Sequence, residues 1–145
     1  MVMREILFRG KTPSQDEHFD DGEWVSGFYT CFNGKEHRIY SGYAETDCGD
    51  YYPDWYNVRP ETIGQYTGLT DKNGKKIFEG DMVKGLFRYH MPVDSVVCFR
   101  DGAFGLMWYW GEREMFWEFT SICNVEYEVI GNIHDNPELM KGGAE

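Results

Sequence analysis

Apolar and polar side chains exchange places every second residue through several short segments, and turns rich in glycine, asparagine or aspartate separate them. The cleanest case is 125–132, in which Val125, Tyr127 and Val129 alternate with Glu126 and Glu128. A two-residue period predicts a half-buried antiparallel strand. Ala103–Trp110 places Phe104, Leu106, Trp108 and Trp110 on one face and Met107 and Tyr109 on the other. A strand apolar on both faces belongs at the centre of a fold or under another subunit. Residues 5–9, 23–32, 36–41, 81–89 and 94–100 read as further strands, as does Lys76–Phe78.

The turns are as legible as the strands. Asn33-Gly34 and Asp101-Gly102 are hairpin signals, because both residue types tolerate positive φ. Asp71-Lys72-Asn73-Gly74 reads as a turn, and Glu79-Gly80-Asp81 as the turn that launches Met82 and Val83 into a strand. Met91-Pro92 marks another turn. Gly27, inside a strand pattern, signals a bulge or a close neighbour. Residues 42–59 show no clear period and read as a long loop carrying Tyr51, Tyr52, Trp55 and Tyr56; loops this long are often functional. Residues 111–124 fit two readings. Phe116, Phe119 and Ile122 recur at helical spacing, whereas the aromatic and β-branched content suits strands. Asn136 and Pro137 open a short helix or turn as cap and first helical position.

Composition supports strands. The 145 residues are 41% hydrophobic and 17% aromatic, with 17 Gly against 5 Pro. That length predicts one domain. The expected fold is all-β: an antiparallel, partly open β-barrel with hairpin extensions and at most one or two short helices. Within it, 1–59 would supply N-terminal strands and a variable loop, and 60–140 the barrel core.

Charge narrows the partners. The formal net charge is −11, which disfavours binding to phosphate backbones and to anionic membrane surfaces. No apolar run is long enough to span a bilayer as a helix. Direct nucleic-acid binding and membrane association are therefore not expected. Cys31, Cys48, Cys98 and Cys123 form no CxxC pair and no zinc-finger spacing, and the first residues lack a signal-peptide core. Free thiols in a reducing cytoplasm are the expected state.

Candidate chemistry is sparse. Asp16, Glu17, His18, Asp20 and Asp21 cluster without the glycine and distal carboxylate of a calcium loop. Asp71 to Gly74 begins like such a loop, but Met82 stands where the glutamate belongs. Glu79 and Asp81 flank Gly80 and are the best-placed carboxylate pair for acid–base work; Asp81 more simply caps a turn. His18, His37, His90 and His134 fall in or beside predicted loops without mutual spacing. Neither a GxSxG elbow nor a phosphate-binding glycine loop occurs. Catalytic, metal and cofactor sites are each expected to be none.

Four landmarks in order carry a family resemblance: REILFRGK near the start, ETIGQYTGLTDKNGKKIFEGDMVK, the VIGN strand and the closing IHDNPEL. The chain resembles the YopX family, proteins encoded by phages and prophages of Gram-positive bacteria. The resemblance implies an all-β, barrel-containing fold that tends to self-associate, with no established biochemical role and no catalytic residues to carry over. The positions that map onto it are Gln65, Tyr66, Thr67, Gly68, Asp71, Gly74, Glu79, Gly80, Asp81, Asn132, Asn136 and Pro137. All read as structural, the glycines serving turns and the acids and amides capping them.

The functional expectation is a non-enzymatic, phage-encoded cytoplasmic protein acting through self-assembly as a homo-oligomer and through contacts with a host or phage protein. Its candidate interface is Tyr51, Tyr52, Trp55 and Tyr56 with Trp108 and Trp110. A nucleic-acid-linked accessory factor, binding single strands or mimicking them by charge, is the first alternative. A hydrolase using Glu79 and Asp81 is the second.

Overall fold

The computed structural model describes residues 3–13, 22–87, 91–119 and 127–144. The chain forms two compact units, 1–66 and 67–145. Each consists of antiparallel strands.

The first unit contains β1 (Phe8–Lys11), β2 (Trp24–Phe32), β3 (Glu36–Glu45), β4 (Tyr51–Asn57) and the start of β5 (Gly64–Thr70). Its strand order is β4-β3-β2-β1-β5. The β2–β3 hairpin turns at Asn33 and Gly34, with φ of 54° and 66°, and Lys35 N–H donates to Phe32 O at 3.0 Å. Positive φ at both central residues is what matches a hairpin to strand twist. Gly27 proves to be a close-neighbour glycine: a Cβ there would collide with the Tyr40 carbonyl. Ile39 is fully buried, and Val58, Thr62 and Tyr66 are buried with it. A 3-10 turn at Pro60–Thr62 brings Thr62 Oγ1 to the Lys11 N–H at 2.8 Å, while Arg59 N–H donates to Lys11 O at 2.8 Å. The backbone of β1 is thereby satisfied where it leaves the sheet.

The loop expected over 42–59 is largely strand. β3 runs on to Glu45, and β4 pairs with it from Glu45↔Tyr51 to Arg38↔Asn57. The connection is short, closed by Thr46 N–H to Asp50 O at 2.8 Å and Asp50 N–H to Thr46 Oγ1 at 3.0 Å. Alternation was hidden because β4 is an edge strand with aromatics on both sides. Its position also accounts for Pro53, which costs no ladder bond on an edge.

The second unit holds the end of β5, then β6 (Lys76–Phe78), β7 (Asp81–Phe87), β8 (Met91–Arg100), β9 (Ala103–Trp110), β10 (Arg113–Glu118) and β11 (Tyr127–Asn132). β7 to β11 order as β10-β9-β8-β7-β11. Asp101 and Gly102 turn β8 into β9 with φ of 52° and 84°. Met91 and Pro92 are strand rather than turn, opposite Phe87 and Leu86. Residues 113–118, which fitted helix or strand, are strand. Ile77, Val83, Val97 and Leu106 form the core, with Trp108, Trp117, Phe119, Tyr127 and Val129 packed around them. Burial pushes the Tyr127 phenol up to about 12.

Through its middle β9 is covered on both faces within this unit, whereas Tyr109 and Trp110 at its end are exposed. Leu106 and Trp108 face the core. Met107 shares the opposite face with Val96, Met82 and Gly131 through the register. There the C-terminal 3-10 helix (Pro137–Ala144) packs over β8 and β9, with Leu139 against Gly131.

The fold is all-β, as expected, but no barrel forms. The two sheets are open: β4 ends one, and among the described residues β10 and β11 end the other without pairing. Closure needs a matched tilt and register between the first and last strands. Glycine-punctuated strands fit open sheets equally well, so the sequence pattern could not distinguish them. Among the described residues no helix is long and apolar enough to cross a membrane. The acidic cluster at Asp16–Asp21, together with His18, His90, Ile122, Cys123 and Val125, lies outside the described residues.

Candidate functional site

Directly opposed residues in an antiparallel pair point to the same side. Phe28, Tyr40 and Trp55 form one such row across β2, β3 and β4; Thr30, Arg38 and Asn57 form the next, then Phe32 and Glu36. In the other direction lie Tyr43 opposite Pro53 and Glu45 opposite Tyr51. One side of this three-stranded ribbon therefore carries Phe28, Phe32, Tyr40, Tyr43, Tyr51 and Trp55.

A bulge at Ser41 assembles that surface. The register shifts between Tyr40 and Gly42. Strict alternation would put Tyr43 on the side opposite Tyr40; one extra residue brings it onto the same side. The other side carries Val25, Tyr29 and Ile39, together with Gly10 of β1 against Val58. The core of the unit lies on this side around Ile39, while Tyr52 and Tyr56 stand part-exposed at its β4 edge.

The aromatic surface is open to water. Phe28, Tyr43 and Tyr51 are 72%, 77% and 72% exposed, and Phe32 and Trp55 are about half as exposed. At about 200 Å² per ring, they leave on the order of 600 Å² of ring surface in solvent, the top of the range for a patch on a monomer. Cations sit within it. The Arg38 guanidinium stacks 4.0 Å from the Trp55 ring and 5.0 Å from Phe32, and Arg38 also pairs with Glu36 at 2.9 Å. On β1 and β2, Arg9 lies 4.6 Å over Trp24. Each such contact is worth about 0.5–1 kcal/mol at an exposed site.

The six residues proposed as an interface are divided by this geometry. Tyr51 and Trp55 belong to the aromatic surface. Tyr52 and Tyr56 project from the other side of β4, with Tyr56 Oη 3.4 Å from Asp54 Oδ2; that carboxylate's charge raises the Tyr56 phenol pKa, with a smaller contribution from burial. Trp108 packs edge-on to Trp117 at 5.4 Å beside the core of the second unit, whereas Trp110 at the end of β9 is 64% exposed. Sequence reasoning missed Phe28, Phe32, Tyr40, Tyr43 and Arg38. The signal was present in the even-numbered positions Trp24, Phe28 and Phe32, but which side was core could not be read from it.

The motif residues meet elsewhere, as architecture. Asp81 and Asn132, 51 positions apart, are register partners of β7 and β11. Asp71 Oδ1 accepts from Asn73 and Lys75 N–H at 2.8 and 2.9 Å, and its Oδ2 from Val129 N–H at 3.0 Å. Asp81 Oδ2 accepts from Phe78 N–H at 2.8 Å and is 1% exposed. Its role is that of a turn cap; Glu79 beside it leads into Gly80. Gly80 donates to Val97 O and accepts from Ile133 N–H. Asn132 Oδ1 accepts from His134 and Asp135 N–H, and Asn136 Oδ1 from Asn132 N–H, just before Pro137 starts the 3-10 helix. Thr67 Oγ1 donates to Ile77 O at 2.8 Å, Gly68 and Gly74 take positive φ, Tyr66 N–H donates to Leu7 O, and Gln65 lies opposite Phe8. Among the described residues no three His, Cys, Asp or Glu side chains converge as a metal site.

The described histidines are engaged rather than idle. His37 Nδ1 lies 2.7 Å from Tyr29 Oη, and His134 packs beside Gly80.

Comparison with known proteins adds a family and a fold. The profile described as YopX protein matches residues 11–141. The crystal structure of protein EF1440 from Enterococcus faecalis is similar with a TM-score of 0.55 at 22% identity, covering 95% of this chain and 99% of that one. At that identity the likeness is one of fold. No curated protein matches the chain.

Proposed function

The chain belongs to the YopX family, and from that premise we propose that it is a phage- or prophage-encoded protein of the host cytoplasm that works without catalysis, by self-association and protein contacts. The supporting observation is the aromatic surface of β2, β3 and β4, where five exposed rings occupy one side of a ribbon whose other side holds the buried Ile39. A second copy is its first occupant. Two such surfaces meeting face to face would bury about 1,200 Å² in total, the lower limit for a specific interface. Association at micromolar concentrations follows, rather than an obligate assembly.

Trp110 is a weaker candidate, because its neighbour Trp108 is committed to the core. Light scattering and sedimentation test the reading. The wild type is expected to form dimers or larger species at micromolar concentration. Phe28→Ser with Tyr43→Ser should return it to a monomer with unchanged circular dichroism, and Trp110→Ser should not. A wild type that stays monomeric at high micromolar concentration overturns the reading.

The stacked cations favour one alternative. Arg38 over Trp55 and Arg9 over Trp24 resemble the ring-and-cation platforms on which single-stranded bases stack. Tryptophan quenching by an oligothymidylate at low salt, abolished by Trp55→Ser, would select that reading. The net charge of −11 opposes it.

A further inference from the structure

We propose that two copies of the chain meet through the aromatic surface of β2, β3 and β4 in opposite directions, the acidic tip of each ribbon lying over the basic end of the other. This orientation rests on the self-association proposed above and adds which ends meet. One end of the ribbon is a projecting arm. Phe28–Phe32 of β2 pair with β3, but Trp24–Gly27 pair with β1. Among the described residues, β3 beyond Tyr40 therefore pairs with β4 alone. From Ser41 to Pro53 every residue except Ala44 is exposed. A two-stranded hairpin without a third layer is marginally stable in water, so such an arm gains from a surface to lie against.

The two ends differ in chemistry. Residues 45–50 hold Glu45, Asp47 and Asp50 and no cation. Just behind them on the aromatic side stand Tyr43 and Tyr51, 77% and 72% exposed. At the opposite end, residues 35–38 hold Lys35 and Arg38 against the single carboxylate of Glu36. A surface can pack face to face on its own copy in two directions. A two-fold axis along the ribbon lays tip on tip and brings together the carboxylates of both copies. A two-fold axis across the ribbon lays each tip on the other copy's base. Glu45, Asp47 and Asp50 then approach Lys35 and Arg38, and the Tyr43 and Tyr51 rings approach a guanidinium. The second direction replaces like-charge contact by opposite-charge and ring–cation contact. An interface of about 1,200 Å² has little surplus to offset repulsion, so charge selects the direction.

Cross-linking reads that direction. The ten residues of β3 span about 30 Å, so position 35 and the exposed Cys48 are too far apart for a short bis-maleimide to join them within one chain. In the Lys35→Cys chain at high micromolar concentration, peptide mass spectrometry should find Cys48 of one copy joined to position 35 of another. That link should exceed Cys48 joined to Cys48 by at least about fivefold; parity, or an excess of the Cys48–Cys48 link, overturns the proposal. Sedimentation at physiological salt, where charges more than about 8 Å apart are screened, is the second readout. Asp47→Lys should weaken association about fivefold although it makes the chain less negative, because two symmetric contacts are lost. Lys35→Glu should weaken it similarly, and an equimolar mixture of the two variants should associate within about twofold of wild type. Stronger association of Asp47→Lys, which tip-on-tip packing requires, overturns the proposal. Both positions are exposed turn residues, and circular dichroism checks that each variant keeps its fold. A wild type that stays monomeric removes the self-association itself, and the direction with it; an associating wild type that fails either test removes the direction alone.

Discussion

Asp71 shows how one side chain ties distant parts of the second unit together. Its turn-capping bonds to Asn73 and Lys75 were legible, because aspartate at the head of an Asx turn is a local signal. Its bond to Val129 was not, since that partner is 58 residues away. Burial raises the Asp71 carboxyl, but the Val129, Lys75 and Asn73 N–H donors and the Lys75 charge outweigh burial and hold it below its usual value. A carboxyl whose folded pKa is depressed contributes stability that is present above its unfolded pKa and lost as pH falls through the folded one. Urea unfolding should therefore show stability falling below about pH 4, with a smaller fall in Asp71→Asn. At pH 7 that variant should be destabilised by about 1–3 kcal/mol, the cost of weakening charge-assisted bonds and leaving a buried donor unmet.

The elements were readable wherever both period and turn were local. The Asn33-Gly34 and Asp101-Gly102 hairpins and β9 lie where the pattern put them. The loop expected over 42–59 failed for a physical reason: an edge strand with rings on both sides has no apolar period to detect. Bulges escaped for a similar reason, because the extra residue at Ser41 is defined only by its partner strand. In β11 the register slips between Val129 and Gly131. A Cβ at Gly131 would lie 2.5 Å from Asn136 Oδ1 and 3.0 Å from Leu139 Cδ1. Gly131→Ala should accordingly cost about 1–3 kcal/mol by forcing the helix off the sheet. Adding Asn136→Ala should recover part of that loss, which a double-mutant cycle in denaturant will read as coupling.

At the scale of the whole molecule, charge and apolar surface pull in opposite directions. A net charge of −11 repels copies of the chain, and the exposed rings of β2, β3 and β4 draw them together. Salt screens the first and leaves the second. Self-association measured by sedimentation should strengthen as sodium chloride rises from low to physiological concentration. Binding to a phosphate backbone would weaken over the same range, so the sign of the salt dependence separates the two functional readings. The candidate surface was half visible in advance. Tyr51 and Trp55 were named from composition, but the ribbon that orients them was not.

The sequence by itself determined the strands with local turns, the all-β class and the turn-capping roles of Asp71 and Asp81, because those depend on residues within a few positions of one another; Asn136, expected to cap the helix that follows it, instead accepts from the preceding Asn132 N–H. Only the tertiary structure decided that the sheets stay open, that Trp108 is core while Tyr43 is surface, and that Cys31 faces His37. Each of those follows from cross-strand register, and register is set by pairing between segments that the chain's own order does not bring together.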